Sequence, residues 1–212
     1  MKKIIIAAML FPSIGFAEPE PGSRVDTAPK SAKGNYRPGT KDAEILAHTV
    51  SRCVADRRRG RAAEIVNLPF RSKEQATAAS RLTSGEEKCM GHVSGTLTFN
   101  TDMLVMGMAE ELFLMSHRRA DINALIEGNG FAPRNSLEEL GLCVARAEPV
   151  AARAILDTPT GSASEDTAIR AVVPALGPCV SADVTLKFSK PVIRGLIALA
   201  LYHSAQYAST AP

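Results

Sequence analysis

The chain has 212 residues, 25 of them basic and 22 acidic, giving a formal charge of +3, and it contains no tryptophan. So small a balance argues against a general nucleic-acid binder, which needs a strong basic excess to displace counterions from phosphates. Aromatic residues make up 5%, which disfavours sandwich-type sheets and stacking platforms for sugars or bases, whereas abundant Ala and Leu favour helices.

Residues 1–17, "MKKIIIAAMLFPSIGFA", place two lysines before the apolar run Ile4 to Phe11 and end on the small residues Gly15 and Ala17. This pattern reads as a cleaved export signal, with an uncleaved anchor as the alternative. The run falls well short of the roughly 20 residues of a membrane-spanning helix. No Cys follows that could take a lipid. Removal takes away Lys2 and Lys3 and leaves 23 basic residues against 22 acidic, a balance of +1. The expected location is periplasmic or secreted, with no transmembrane segment after cleavage. Residues 18–39 hold four prolines and three glycines; too little apolar surface is present to offset the cost of ordering them, and they read as a flexible leader.

The folded region repeats itself. With Cys53 set on Cys143, Cys89 falls on Cys179, and ten pairs between 53 and 89 are identical, among them Ala62 with Ala152, Pro69 with Pro159 and Ser72 with Ser162. Average composition would give roughly two or three. After a one-residue deletion Leu97, Phe99, Ala109 and Leu112 meet Leu186, Phe188, Ala198 and Leu201. The division predicted is repeat 1 over 40–116, a linker over 117–134, repeat 2 over 135–207 and a tail over 208–212. One short helical unit makes a poor core, and two can close on each other.

Each copy reads as four elements. A first helix shows one face through Ile45, Leu46, Thr49, Val50, Cys53 and Val54, and in copy two "SLEE", Ser136 to Glu139, has the form of a capping box. A second helix follows over Arg61 to Asn67, matched by Pro149 to Asp157, and Pro69 and Pro159 stop it. The third opens on capping boxes Ser72 to Gln75 and Ser162 to Glu165. After each second Cys, "GTLTF" and "VTLKF" read as a short strand. Asn100 and Ser189 can cap the last helices, Met103 to Met115 and Pro191 to Ala205. The fold class expected is therefore mainly α: two pseudo-symmetric helical repeats, each with a disulfide and one short strand.

Four cysteines in an exported chain point to disulfides. Equal spacing favours Cys53 with Cys89 and Cys143 with Cys179; a cross-repeat pairing of Cys53 with Cys143 and Cys89 with Cys179 is equally symmetric. Neither copy has the close CxxC spacing usual at zinc.

Several clusters have the residue types for chemistry. Glu86, Cys89 and His92 stand within "EEKCMGH", a grouping able to serve a metal or a nucleophile until a disulfide removes the thiol. His48, His92, His117 and His203 have no histidine opposite them in the other copy. Met103, Met106, Met108 and Met115, near Met90 and His117, offer soft ligands for copper, against which stands core packing. "RCVADRRRGR" puts five arginines between Arg52 and Arg61, a run suited to anionic groups or to a solvated helix end. "PVIRGLIALALYHSAQY" is apolar on most sides apart from Arg194, as a buried helix would be, with partner docking as the alternative. Phosphate loops, GxSxG elbows, HExxH and paired CxxC are absent from the sequence, and nothing calls for a cofactor.

The paired "CVAR...P..AARAIL...P" and "C....TLKFS...IRGLIALALY" pattern resembles a group of exported bacterial proteins sharing this Cys-to-Cys helical repeat. The resemblance implies no catalytic or binding residues, and the arginine run of copy one departs from it. The reading is a non-catalytic binding or structural module of the cell envelope, whose partner is an envelope protein or a small ligand. The rival readings place a site in repeat 1: a small periplasmic hydrolase using His92, His117, Glu86 and Asp102, or metal handling through the methionines.

Overall fold

The computed structural model describes residues 41–90, 100–127, 130–180 and 188–210. Among them the chain is mainly helical: α1 (Lys41–Arg57), α2 (Arg59–Val66), α3 (Lys73–Thr83), a 3-10 turn (Glu87–Met90), α4 (Thr101–His117), α5 (Ile122–Glu127), α6 (Ser136–Ala147), α7 (Pro149–Asp157), α8 (Ala163–Cys179) and α9 (Lys190–Thr210). On the sequence alignment α1 to α4 correspond to α6 to α9 in the same order, and α5 lies in the linker. The export signal, the leader and the strand expected at 95–99 fall outside the described residues, as does the second strand except for Phe188.

The helix starts follow from local polar chemistry. Ser72 and Ser162 accept the amides of Gln75 and Glu165 at 3.1 Å in each case. The return bonds go one residue further back than a capping box requires: Gln75 accepts the Arg71 amide and Glu165 the Gly161 amide. Arg71 and Gly161, equivalent in the alignment, both have positive φ, 67° and 77°, the left-handed turn that brings the preceding amide into reach. At α6 the expected box at Ser136 is corrected. Asn135 is the cap: its backbone is extended and its side-chain oxygen accepts the amides of Leu137 and Glu138, two of the open donors of the first turn.

The face of α1 also differs from its apolar pattern. Ala43, Ala47, Val50, Ser51, Val54 and Ala55 are buried, whereas Ile45 and Leu46 are half-buried and Thr49 is exposed. The neighbour α4 lies so close that small residues are selected. A Cβ on Gly107 of α4 would collide with Ser51. In the second copy α6 meets α9 with the small residue on the other helix, Gly141 against the backbone of Leu196. Ser51 is equivalent to Gly141 and Gly107 to Leu196, so the same two positions touch in both copies.

The core is centred on α4 and α9. Eight consecutive residues of α4, Met103 to Glu110, are buried, and α9 is buried from Ile193 through Ala205. Burying each large apolar side chain is worth about 1.5–3 kcal/mol, which makes this pair the main source of stability. The two helices pack on each other, α1 to α3 gather on α4, and α5 to α8 gather on α9. Where α4 and α9 cross, Gly195 lies against Met106, its own equivalent in the alignment. The apolar run of α9 and the buried methionines Met103, Met106 and Met108 are thus core.

Both disulfides join cysteines 36 residues apart, Cys53 with Cys89 and Cys143 with Cys179, at Cα separations of 5.5 and 5.7 Å. Each ties the first helix of its copy to the end of the third segment. Such a link is worth about 3–4 kcal/mol in the chain-entropy model.

Candidate functional sites: a buried ion network and an open charged cleft

The most polar place in the core surrounds Arg194 on α9, of which 2% is exposed. Its Nε and one terminal nitrogen grip Glu110 of α4, each at 2.7 Å. The other terminal nitrogen donates to Glu165 Oε1 at 2.9 Å and the Ile155 carbonyl at 2.7 Å, and the Thr158 carbonyl is met at 3.1 Å. All five guanidinium hydrogens are thereby used, the condition under which a buried charge is tolerated. Glu110 is also 2.8 Å from His48 Nε2, whose Nδ1 is 2.9 Å from the Thr160 hydroxyl.

Burial pushes the Glu110 carboxyl up, but the Arg194 and His48 hydrogen bonds outweigh it and hold the group down at about 2. The space between Glu44, His48, Gly107, Thr160 and Gly195 is about 10 Å³, at most one water. The network closes a core rather than admitting a substrate.

In copy one Gln75 occupies the position of Glu165. Its amide nitrogen donates to the carbonyls of Ile65 and Leu68, the equivalents of the Ile155 and Thr158 carbonyls that Arg194 serves. The carboxylate of Glu165 cannot donate, so the second copy imports a guanidinium for the same two acceptors.

A second buried cluster joins the start of α6 to the α2–α3 loop. Glu138 accepts the amides of Arg134 and Phe70 and is paired with the Arg134 side chain at 3.0 Å. Burial raises its pKa, and the Arg134 bonds lower it further than burial raises it. His203 Nε2 lies 3.3 Å from Arg134, and the ring stacks on Phe131. Burial first, then the Arg134 charge, pushes that imidazole down to about 4, so it is neutral.

The site residues expected from sequence are dispersed. Glu86 is buried and accepts from Arg58 and Arg57; the Arg58 hydrogen bond, ahead of the opposing burial, lowers its pKa. Asp102 opens α4 and pairs with Arg71 at 2.7 Å. His117 ends the same helix and stacks on Phe113, with its pKa lowered by burial. Fifteen residues at 1.5 Å each place Asp102 and His117 about 22 Å apart along α4. His92 lies outside the described residues. Cys89 is in a disulfide, which leaves "EEKCMGH" no thiol. Among the described residues no three His, Cys, Asp or Glu side chains gather to hold a metal ion.

The arginine run accounts for part of a larger feature. Between α2 and α3 an open cleft of about 810 Å³ has a floor of Ile65, Leu68, Ala78 and Leu82. Four cations, Arg58, Arg61, Lys73 and Arg81, stand around it with three carboxylates, Glu64, Glu74 and Glu86. Arg58 is engaged by Glu86 and Arg61 by Glu64. Lys73 and Arg81 are exposed and have no ion-pair partner among the described residues.

The equivalent positions of copy two are nearly stripped of charge: Glu148, Ala151, Ala163 and Ala171 replace the four cations, and Ala154, Ser164 and Leu176 replace the carboxylates. Sequence reasoning that judged the arginines alone missed this cleft. A position-by-position comparison of the charged residues in the two copies carries the signal.

No protein-family model, curated protein or solved structure matches the chain. Two disulfides fit an oxidising compartment, and among the described residues no helix is long and apolar enough to cross a membrane.

Proposed function

We propose that the chain is an exported, non-catalytic module of the cell envelope, periplasmic or secreted, in which two copies of one disulfide-stapled unit close about a pseudo-twofold axis and the first copy binds a partner. The meeting of equivalent residues at the α4–α9 crossing, and of Ser51 with Gly107 as Gly141 with Leu196, supports the axis. One observation carries the binding role. The α2–α3 cleft is open and ringed by seven charged residues, while the same backbone plan in copy two carries one charge at those seven positions. Both copies fold, so the fold itself does not demand those charges.

The test is native mass spectrometry of the protein purified from its own envelope fraction, with non-reducing peptide mapping of the same sample. The expected result is a chain lacking residues 1–17, with both within-repeat disulfides and a bound adduct of defined mass. A chain recovered repeatedly without any partner would count against the binding role, and a chain that keeps its first 17 residues against export by cleavage.

A further inference from the structure

We infer that the α2–α3 cleft takes a segment of a partner protein that carries carboxylates among apolar side chains; this rests on the binding role proposed above. The floor of Ile65, Leu68 and Leu82 offers apolar contact. Lys73 and Arg81 lie eight residues apart on one stripe of α3, with Thr77 between them at four-residue steps, and are therefore about 12 Å apart along the axis. Both are exposed and lack a counter-charge among the described residues. An extended segment spans that distance with carboxylates four residues apart, at about 3.3 Å per residue. Arg81 supplies the planar fork that carboxylates accept in pairs.

The three carboxylates of the cleft decide between classes of partner. A phosphate-dense surface such as an anionic bilayer or nucleic acid would meet the exposed Glu64 and Glu74 along with the cations, and the lining balance of four cations to three anions gives little net attraction. A polypeptide presents single charges at separate points, so it can place acids at Lys73 and Arg81 and leave Glu74 to solvent or to a basic residue of its own. In copy two the equivalents of Lys73 and Arg81 are Ala163 and Ala171, and the same segment finds no anchor there.

The experiment is fluorescence anisotropy of the intact mature chain with a labelled ten-residue peptide alternating leucine and glutamate. A leucine–lysine peptide and phosphatidylglycerol vesicles serve as competing probes. The expected result is saturable binding of the leucine–glutamate peptide alone, weakened at least about tenfold by Lys73→Glu with Arg81→Glu. Thr77→Trp, which fills the cleft without changing its charge, abolishes binding, and Ala171→Glu in copy two leaves it unchanged. Both cationic side chains are exposed, and circular dichroism checks that each variant is folded. Absence of saturable binding up to ~1 mM, the limit of useful affinity, overturns the inference. So does equal binding by the double variant, or preference for vesicles. If the natural adduct persists on the double variant, this inference falls while the binding role stands; if no natural adduct exists, the binding role itself falls.

Discussion

Arg194 shows how one residue can decide a core. It satisfies two carboxylates and the carbonyl oxygens left where α7 ends, and replacing it with Met would leave Glu110 and Glu165 buried without their cation. Removing one partner of a buried pair costs about 3–5 kcal/mol, so Arg194→Met is expected to lower the urea midpoint steeply or prevent folding. Arg61→Ala, at an exposed pair, is expected to cost less than about 1 kcal/mol. The acid response has a definite sign. Glu110 is held below its ordinary value of 4.5 at about 2, so its contribution is present above pH 4.5 and lost as pH falls from there towards 2. His203 is depressed from 6.5 to about 4, and its contribution is lost earlier, as pH falls through that interval. Urea titrations from pH 7.5 to pH 3 should show both losses in turn, and His203→Gln should shrink the first of them, which His117, also depressed by burial, shares. Gly161 combines a φ of 77° with contact to Ile45, and Gly161→Ala is expected to destabilise by at least about 1 kcal/mol. Calorimetry measures it.

At the scale of elements, close helix crossings set the limits. Gly195 lies on Met106 and Gly141 on the backbone of Leu196; neither site has room for a Cβ. Gly141→Leu should therefore be the more damaging, because backbone cannot swing aside as a thioether can. Thermal unfolding of the two Leu variants checks the order. The order of the eight helices α1 to α4 and α6 to α9, the α3 and α8 starts, the Asn100 cap and the within-repeat disulfides were legible because each rests on local chemistry or on the agreement of two aligned stretches, whereas α5 fell in what read as a linker. The buried face of α1 was not. Ile45 and Leu46 drew the face towards themselves, whereas the fold needed Ala43, Ala47 and Ser51 there, and only the tertiary approach of α4 reveals that need. The reach of Arg194 to Glu110, 84 positions away in sequence, was hidden for the same reason: no local pattern distinguishes a central buried arginine from one that interrupts an apolar helix at the surface.

For the whole molecule, the proposed duplication separates what folding demands from what it does not. Positions where both copies keep one solution, such as the staples and the α3 and α8 caps, serve the fold. Positions where they diverge in chemistry fall into two kinds. Gln75 and Glu165 differ but serve the same carbonyl acceptors, Glu165 with the help of Arg194, so that divergence is compensated inside the core. The charges of the α2–α3 cleft have no such compensation in copy two, where mostly alanines stand instead, and this uncompensated difference is what the proposed binding role rests on. Loss of either staple should destabilise by about 3–4 kcal/mol in the chain-entropy model, measurable as a lowered urea midpoint for Cys53→Ser with Cys89→Ser and for Cys143→Ser with Cys179→Ser. The measurement that tests the central claim most directly is amide hydrogen exchange of the envelope-purified chain with its partner bound and after salt has stripped it. The account predicts partner-dependent protection on α2 and α3, residues 59–83, with α7 and α8 unchanged. Protection on residues 149–179 instead, or none on either pair of helices, would contradict it.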